Sequence, residues 1–108
     1  MKTITYNKLV RDRIPEIIVK SGNKCDTEIL SDEEYIEMKN KKLDEELAEY
    51  HKDKNIEELA DLLEVVYACA HARGFSLEEL ENVRTDKADK RGAFKGKILL
   101  KETIIENE

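Results

Sequence analysis

Tryptophan is missing from this chain, phenylalanine occurs twice, and aromatics make up only 6% of the 108 residues. So few large flat side chains argue against a β-sandwich core. With 41% of residues charged, they favour helices laced with ion pairs. One proline and four glycines leave few breaks between elements. Cys25 and Cys69 stand apart, with no CxxC and no nearby His pair, and read as reduced thiols; a disulfide between them is the alternative. No apolar stretch opens the chain and no run approaches the length of a membrane span, so the expectation is a cytoplasmic protein with no membrane partner. A net charge of −6 argues against duplex nucleic acid, because phosphate binding rests on Lys and Arg. It leaves nucleotides open, since a bound divalent cation reverses the local sign.

What is present is helical. Ser31 precedes Glu34, Asn55 precedes Glu58, and Ser76 precedes Glu79, each at capping-box spacing. These predict helices from about Asp32 to Lys52, from Ile56 to Arg73 with Gly74 as left-handed cap, and from Leu77 to about Lys90 near Gly92. Pro15 suits the first turn of a short helix, Pro15 to Lys20, closed by Ser21 and Gly22. "CDTEIL" and "GKILLKETI" could be short strands pairing as a ribbon. The expected architecture is one all-α domain over residues 1–108: an antiparallel helical hairpin, a third long helix and irregular ends. The helix from Ile56 is apolar on Ile56, Leu59, Leu63, Val66 and Ala70, and again on Leu62, Val65, Ala68 and Cys69. Only Glu64, Tyr67 and His71 offer it a wet side. A helix apolar around most of its circumference needs cover from several directions. The expectation is therefore a homo-oligomeric helical bundle, first of all a dimer.

The acids of "DEELAEYHKDKNIEELAD", residues 44–61, then have a geometry. Ile36, Leu43, Leu47 and Tyr50 share a stripe on the first long helix, with Glu46 and Glu49 at its edge. Glu58 and Asp61 continue the row of Val65 and Ala68. Two i, i+3 pairs facing across a hairpin would surround one small volume with four carboxylates. Such hard oxygen donors suit Mg²⁺ or Mn²⁺, and Mg²⁺ held by carboxylates is a usual partner of substrate phosphates. The alternative is a solvated helical face with i, i+4 pairs such as Lys42–Glu46, and with Glu58 occupied as the capping-box acid.

"EELAE", Glu45 to Glu49, followed by "EELAD", Glu57 to Asp61, resembles the EExxE…ExxD signature of the MazG-like, all-α nucleotide pyrophosphohydrolases. "YNKLVRDRIPEII", Tyr6 to Ile18, and "KRGAFKGKILL", Lys90 to Leu100, look like the branch labelled phosphoribosyl-ATP pyrophosphohydrolase-like. The resemblance covers nearly the whole chain. It implies Mg²⁺-dependent cleavage of a nucleoside triphosphate between the α and β phosphates, giving a monophosphate and pyrophosphate. By motif position, Glu46, Glu49, Glu58 and Asp61 would be metal ligands, and Glu45 would orient water or serve a second metal.

A triphosphate also needs cations, and two basic clusters at opposite ends of the chain suggest that both ends return to the acidic hairpin. Lys8, Arg11 and Arg91 are the candidate phosphate binders, set against ordinary surface solubility. Phe94 would pack on the core or stack a base. His51 and His71 lack a second ligand at metal spacing. Ser31 and Ser76 are caps rather than nucleophiles, and Tyr6, Tyr35, Tyr50 and Tyr67 are partial-core residues. The alternatives are phosphoribosyl-ATP hydrolysis in histidine synthesis, or a non-catalytic helical interaction or regulatory module.

Overall fold

A computed structural model describes residues 2–106 and places four α-helices and no strand among them. They are α1 (Ile14–Lys20), α2 (Asp32–Asp53), α3 (Ile56–Ala72) and α4 (Leu77–Arg91). The chain divides into two compact units, Met1–Leu77 and Glu78–Glu108.

Helix ends follow from local chemistry. Ser31 Oγ accepts the Glu34 N–H at 3.2 Å and Asn55 Oδ1 accepts the Glu58 N–H at 2.9 Å, each satisfying a donor that the first turn leaves open. The capping glutamates depart from the expected box. Glu34 meets the Ser31 hydroxyl itself, which donates to Glu34 Oε1 at 2.9 Å. Glu58 leaves its cap to join other acids, as described below. α3 closes at Gly74, whose φ of +85° suits the left-handed position. There the Gly74 N–H reaches His71 O at 3.0 Å and the Phe75 N–H reaches Ala70 O at 3.0 Å. α2 ends less comfortably, on Lys54 at φ 52°, a left-handed turn carrying a Cβ.

In the first unit α2 and α3 pack against each other, joined only by Lys54 and Asn55. Ile36, Leu43, Tyr50, Leu62, Val65, Val66 and Ala68 are half-buried between or beside them. Among the described residues no apolar side chain is fully buried; the single buried residue is Lys39, 3% exposed. Its Nζ donates to Ala68 O at 2.8 Å and lies 4.0 Å from the centre of the Tyr35 ring. The expected apolar rows of α3 are unevenly covered: Leu62, Val65, Ala68 and Cys69 are half-covered, and so are Val66 and Ala70 of the other row, whose Ile56, Leu59 and Leu63 face solvent. Tyr67, on the wetter side of α3, is half-buried, as a partial-core residue would be.

In the second unit, α4 carries its charges in paired turns, Arg84 with Glu81 and Lys90 with Asp86. Neither residues 25–30 nor residues 96–104, expected as strands of a ribbon, are strand; a lone two-stranded ribbon lacks a third strand or a packed face to steady it. Phe94, expected in the core, is fully exposed. Tyr6 is exposed as well. Cys25 and Cys69 are free thiols. No helix among the described residues is long and apolar enough to cross a membrane.

Candidate metal centre

The acidic residues gather where α2 ends and α3 begins. The Asn55 cap fixes the Glu58 backbone, and the carboxylate points at neighbouring acids rather than back to the cap. One carboxylate oxygen each from Glu46, Glu58 and Asp61 lies within 4.8 Å of the other two. A second group, Glu49, Asp53 and Glu58, meets the same distance and shares Glu58. The four expected ligands thus do not all meet at one point within that distance. Glu46, Glu58 and Asp61 do, whereas Glu49 turns with Asp53 to the outer side of Glu58. Asp53 lies one residue past the expected end of the first long helix and closes α2 in the structure. Its i, i+4 relation to Glu49, one helical turn, is the signal that could have found it.

Electrostatics separate these acids. Partial desolvation pushes the Glu58 carboxyl up, and the negative charges of Asp53, Asp61, Glu49 and Glu46 push it further. Glu45 goes the other way. Its partial burial favours the neutral form, but hydrogen bonds from Lys8 and Lys42 outweigh that and hold the carboxyl below its ordinary range. Among the described residues, ion pairs reach Glu45, Glu46 and Asp61 but not Glu49 or Glu58.

The partners come from two places. Arg11, in the N-terminal segment, holds Asp61 Oδ1 at 2.7 Å, and Lys8 holds Glu45 Oε1 at 3.2 Å. Both expected phosphate binders from that segment therefore lie beside the acids. Lys42, one turn back on α2, reaches Glu46 Oε1 at 3.1 Å and Glu45 Oε1 at 3.3 Å. The Lys42–Glu46 pair is the one expected of a solvated face, yet both side chains are mostly covered, 17% and 12% exposed. Arg91 ends α4 in the second unit, exposed.

Three clustered carboxylate oxygens with no sulfur or imidazole beside them form a hard donor set, which fits Mg²⁺ or Mn²⁺ rather than zinc. No family model matches the chain, and neither a curated protein nor a solved structure matches it.

Proposed function

We propose that this protein is a Mg²⁺-dependent nucleotide pyrophosphohydrolase, acting on a nucleoside triphosphate or related nucleotide in the cytoplasm to give a monophosphate and pyrophosphate. The observation that carries this reading is the Glu46–Glu58–Asp61 cluster with Arg11, Lys8 and Lys42 at its edge. It joins a seat for a hard divalent cation to cations that suit phosphate oxygens. The order of the EELAE and EELAD motifs, with their MazG-like resemblance, supports the same conclusion. Glu46, Glu58 and Asp61 would hold the ion, with Glu49 on its outer side. Bound there, Mg²⁺ supplies a Lewis acid for a phosphoryl oxygen and an acidified water. The chain's own part is to bind and orient. Arg11 clamps a phosphate through its planar fork, and Glu45 accepts a hydrogen bond from the attacking water.

The same reading includes a homodimer. With no fully buried apolar side chain among the described residues, and with Ile56, Leu59 and Leu63 exposed on α3, one copy has little core to offset its ordering entropy. A second copy on that face completes a helical bundle around the α2–α3 hairpin.

A second reading also has an observation in its favour. Arg11 on Asp61 and Lys42 on Glu46 already neutralise two of the three clustered acids, as a non-catalytic helical module would require. Pyrophosphate release decides between them. It is measured over a panel of canonical, deoxy and damaged nucleoside triphosphates and phosphoribosyl-ATP, with Mg²⁺ and with chelator. Release that needs Mg²⁺ and disappears in Asp61→Ala supports the enzyme. No release from any compound, with Asp61→Ala folded and as stable as the parent, leaves the interaction module.

A further inference from the structure

In the second unit, residues 90–101 hold Lys90, Arg91, Lys95, Lys97 and Lys101 and no acid, in a chain of net charge −6. Among and just after these cations, apolar side chains stand without cover. Phe94, Ile98, Leu99, Leu100, Ile104 and Ile105 are each at least 72% exposed. Residues 97–105 form neither helix nor strand, so no secondary structure accounts for so apolar a stretch. Single exposed apolar residues are ordinary, but a run of them rimmed by charge marks an interaction site. In the first unit, α3 turns Ile56, Leu59 and Leu63 to solvent. Glu57 and Glu64, exposed and two helical turns apart, flank that face on one edge. Among the described residues no ion pair reaches Glu57, Glu64, Lys95, Lys97 or Lys101.

We propose that residues 94–105 are a docking arm for a second copy of this chain: they cover its exposed α3 face, with Lys97 and Lys101 paired to Glu57 and Glu64 of the partner subunit. This rests on the homodimer proposed above, needs neither metal nor turnover, and names what covers α3. The spacing fits. With no turn between them, Lys97 and Lys101 stand up to about 13 Å apart, and Glu57 and Glu64 about 10 Å apart along their helix. Flexible lysine side chains take up the difference. Charge favours a second copy over an anionic membrane. A membrane would attract these lysines but repel the rest of the chain, which is more acidic than the net −6 once they are set aside. A second copy offers unpaired acids beside an apolar face, and the arm brings apolar side chains to cover it. Two-fold symmetry makes the contact twice, each arm on the other copy, and covers apolar side chains that a single copy leaves in water.

The test is sedimentation equilibrium of the full chain with its charges exchanged. An arm variant carries Lys95→Glu, Lys97→Glu and Lys101→Glu, and a face variant carries Glu57→Lys and Glu64→Lys. Each alone weakens the dimer by about 100-fold, because attraction becomes repulsion at both contacts. Mixed in equal amounts they recover the parent's dimer, since every arm then meets a face of opposite sign. An arm folded onto its own chain gains nothing from mixing. Phe94→Ser weakens the dimer by at least about tenfold. Phe94 is fully exposed in one copy, so its replacement leaves the fold intact and keeps the test decisive if a charge variant fails to fold. A parent dimer that survives both charge variants and Phe94→Ser overturns the arm and leaves the homodimer standing. A parent that stays monomeric overturns both. Phosphatidylserine vesicles that hold the parent and release the arm variant, with the dimer unmoved by that variant, overturn the second copy and assign the arm to a lipid surface.

Discussion

The two ends of the α2–α3 pair handle charge in opposite ways. Toward the start of α2, a cation, Lys39, is buried and partnered by the chain: its Nζ donates a hydrogen bond to the Ala68 carbonyl and the Tyr35 ring faces its charge. Burial lowers its pKa, the nearby Cys69 opposes that, and Arg73 adds to it. Toward the connection between the helices, acids crowd together and the chain supplies too few partners, leaving Glu58 opposed by four neighbouring carboxylates. One end is electrostatically closed and the other is left short of positive charge. A buried polar group is satisfied within the fold, whereas half-covered acids can share water with one another.

The largest expected effect lies at the open end. Asp61→Ala and Glu58→Gln should each lower Mg²⁺-dependent pyrophosphate release by at least about 100-fold, a ligand mattering no less than its supporting residues do. Saturating Mg²⁺ at about 100 times its Kd should raise the stability of the parent by about 2.7 kcal/mol. Scanning calorimetry of Glu58→Gln should show no such gain. An equal Mg²⁺ shift in parent and variant would place the ion elsewhere and remove the contrast between the two ends.

The closed end predicts a different pattern. Lys39→Ala leaves a cavity and should cost about 2 kcal/mol, measured by urea unfolding. Lys39→Met keeps the length and drops the charge. Because replacing a buried ion with an apolar group of similar volume is often neutral, its stability should stay within about 1 kcal/mol of the parent. If Lys39→Met were as damaging as Lys39→Ala, the ammonium itself would hold the pair together, and the lysine end would not be the self-sufficient one.

Between these sits the cap. Asn55→Ala removes the acceptor for the Glu58 N–H and should cost about 1 kcal/mol, or roughly 4–8 °C in Tm. Its size reflects how much of this molecule was legible in the sequence. Ser31, Asn55 and Gly74 act within a turn of their own positions, so α2 and α3 begin and end within a residue of where their caps put them. The convergence of Glu46, Glu58 and Asp61 was legible too, because i, i+3 spacing and a short connection constrain it. What escaped depends on contacts across the fold. A lysine is among the residues least often buried, and nothing local marks Lys39 as the exception. Glu49 turned to Asp53, and Lys42 reached Glu45 besides its expected partner Glu46, through choices of side-chain direction that spacing leaves free. Leu100 and Ile104 read as strand from their side chains, but a strand needs a neighbour to pair with, which a segment cannot supply for itself.

The smallest effect is the dependence of stability on pH, and it distinguishes Glu45 from Glu58 within the acidic end. In chelator, Glu45 has a folded pKa below its unfolded value. Its stabilising contribution is complete above the ordinary glutamate pKa of about 4.3 and is lost as pH falls through the lowered one. Glu58 has the opposite sign. Its raised folded pKa makes the folded state the better proton binder, so its contribution is complete below about 4.3 and is lost as pH rises through the raised value. Thermal melts of parent and Glu58→Gln across that range should therefore diverge above about pH 4.3, with the variant increasingly the more stable. Adding Mg²⁺ should reverse the order, because the ion turns the repulsion that Glu58→Gln relieves into the attraction that it forfeits. Parallel melting curves at every pH would mean that solvent already screens Glu58 from Asp53, Asp61, Glu49 and Glu46, and that the acidic end is no more in deficit than the lysine end.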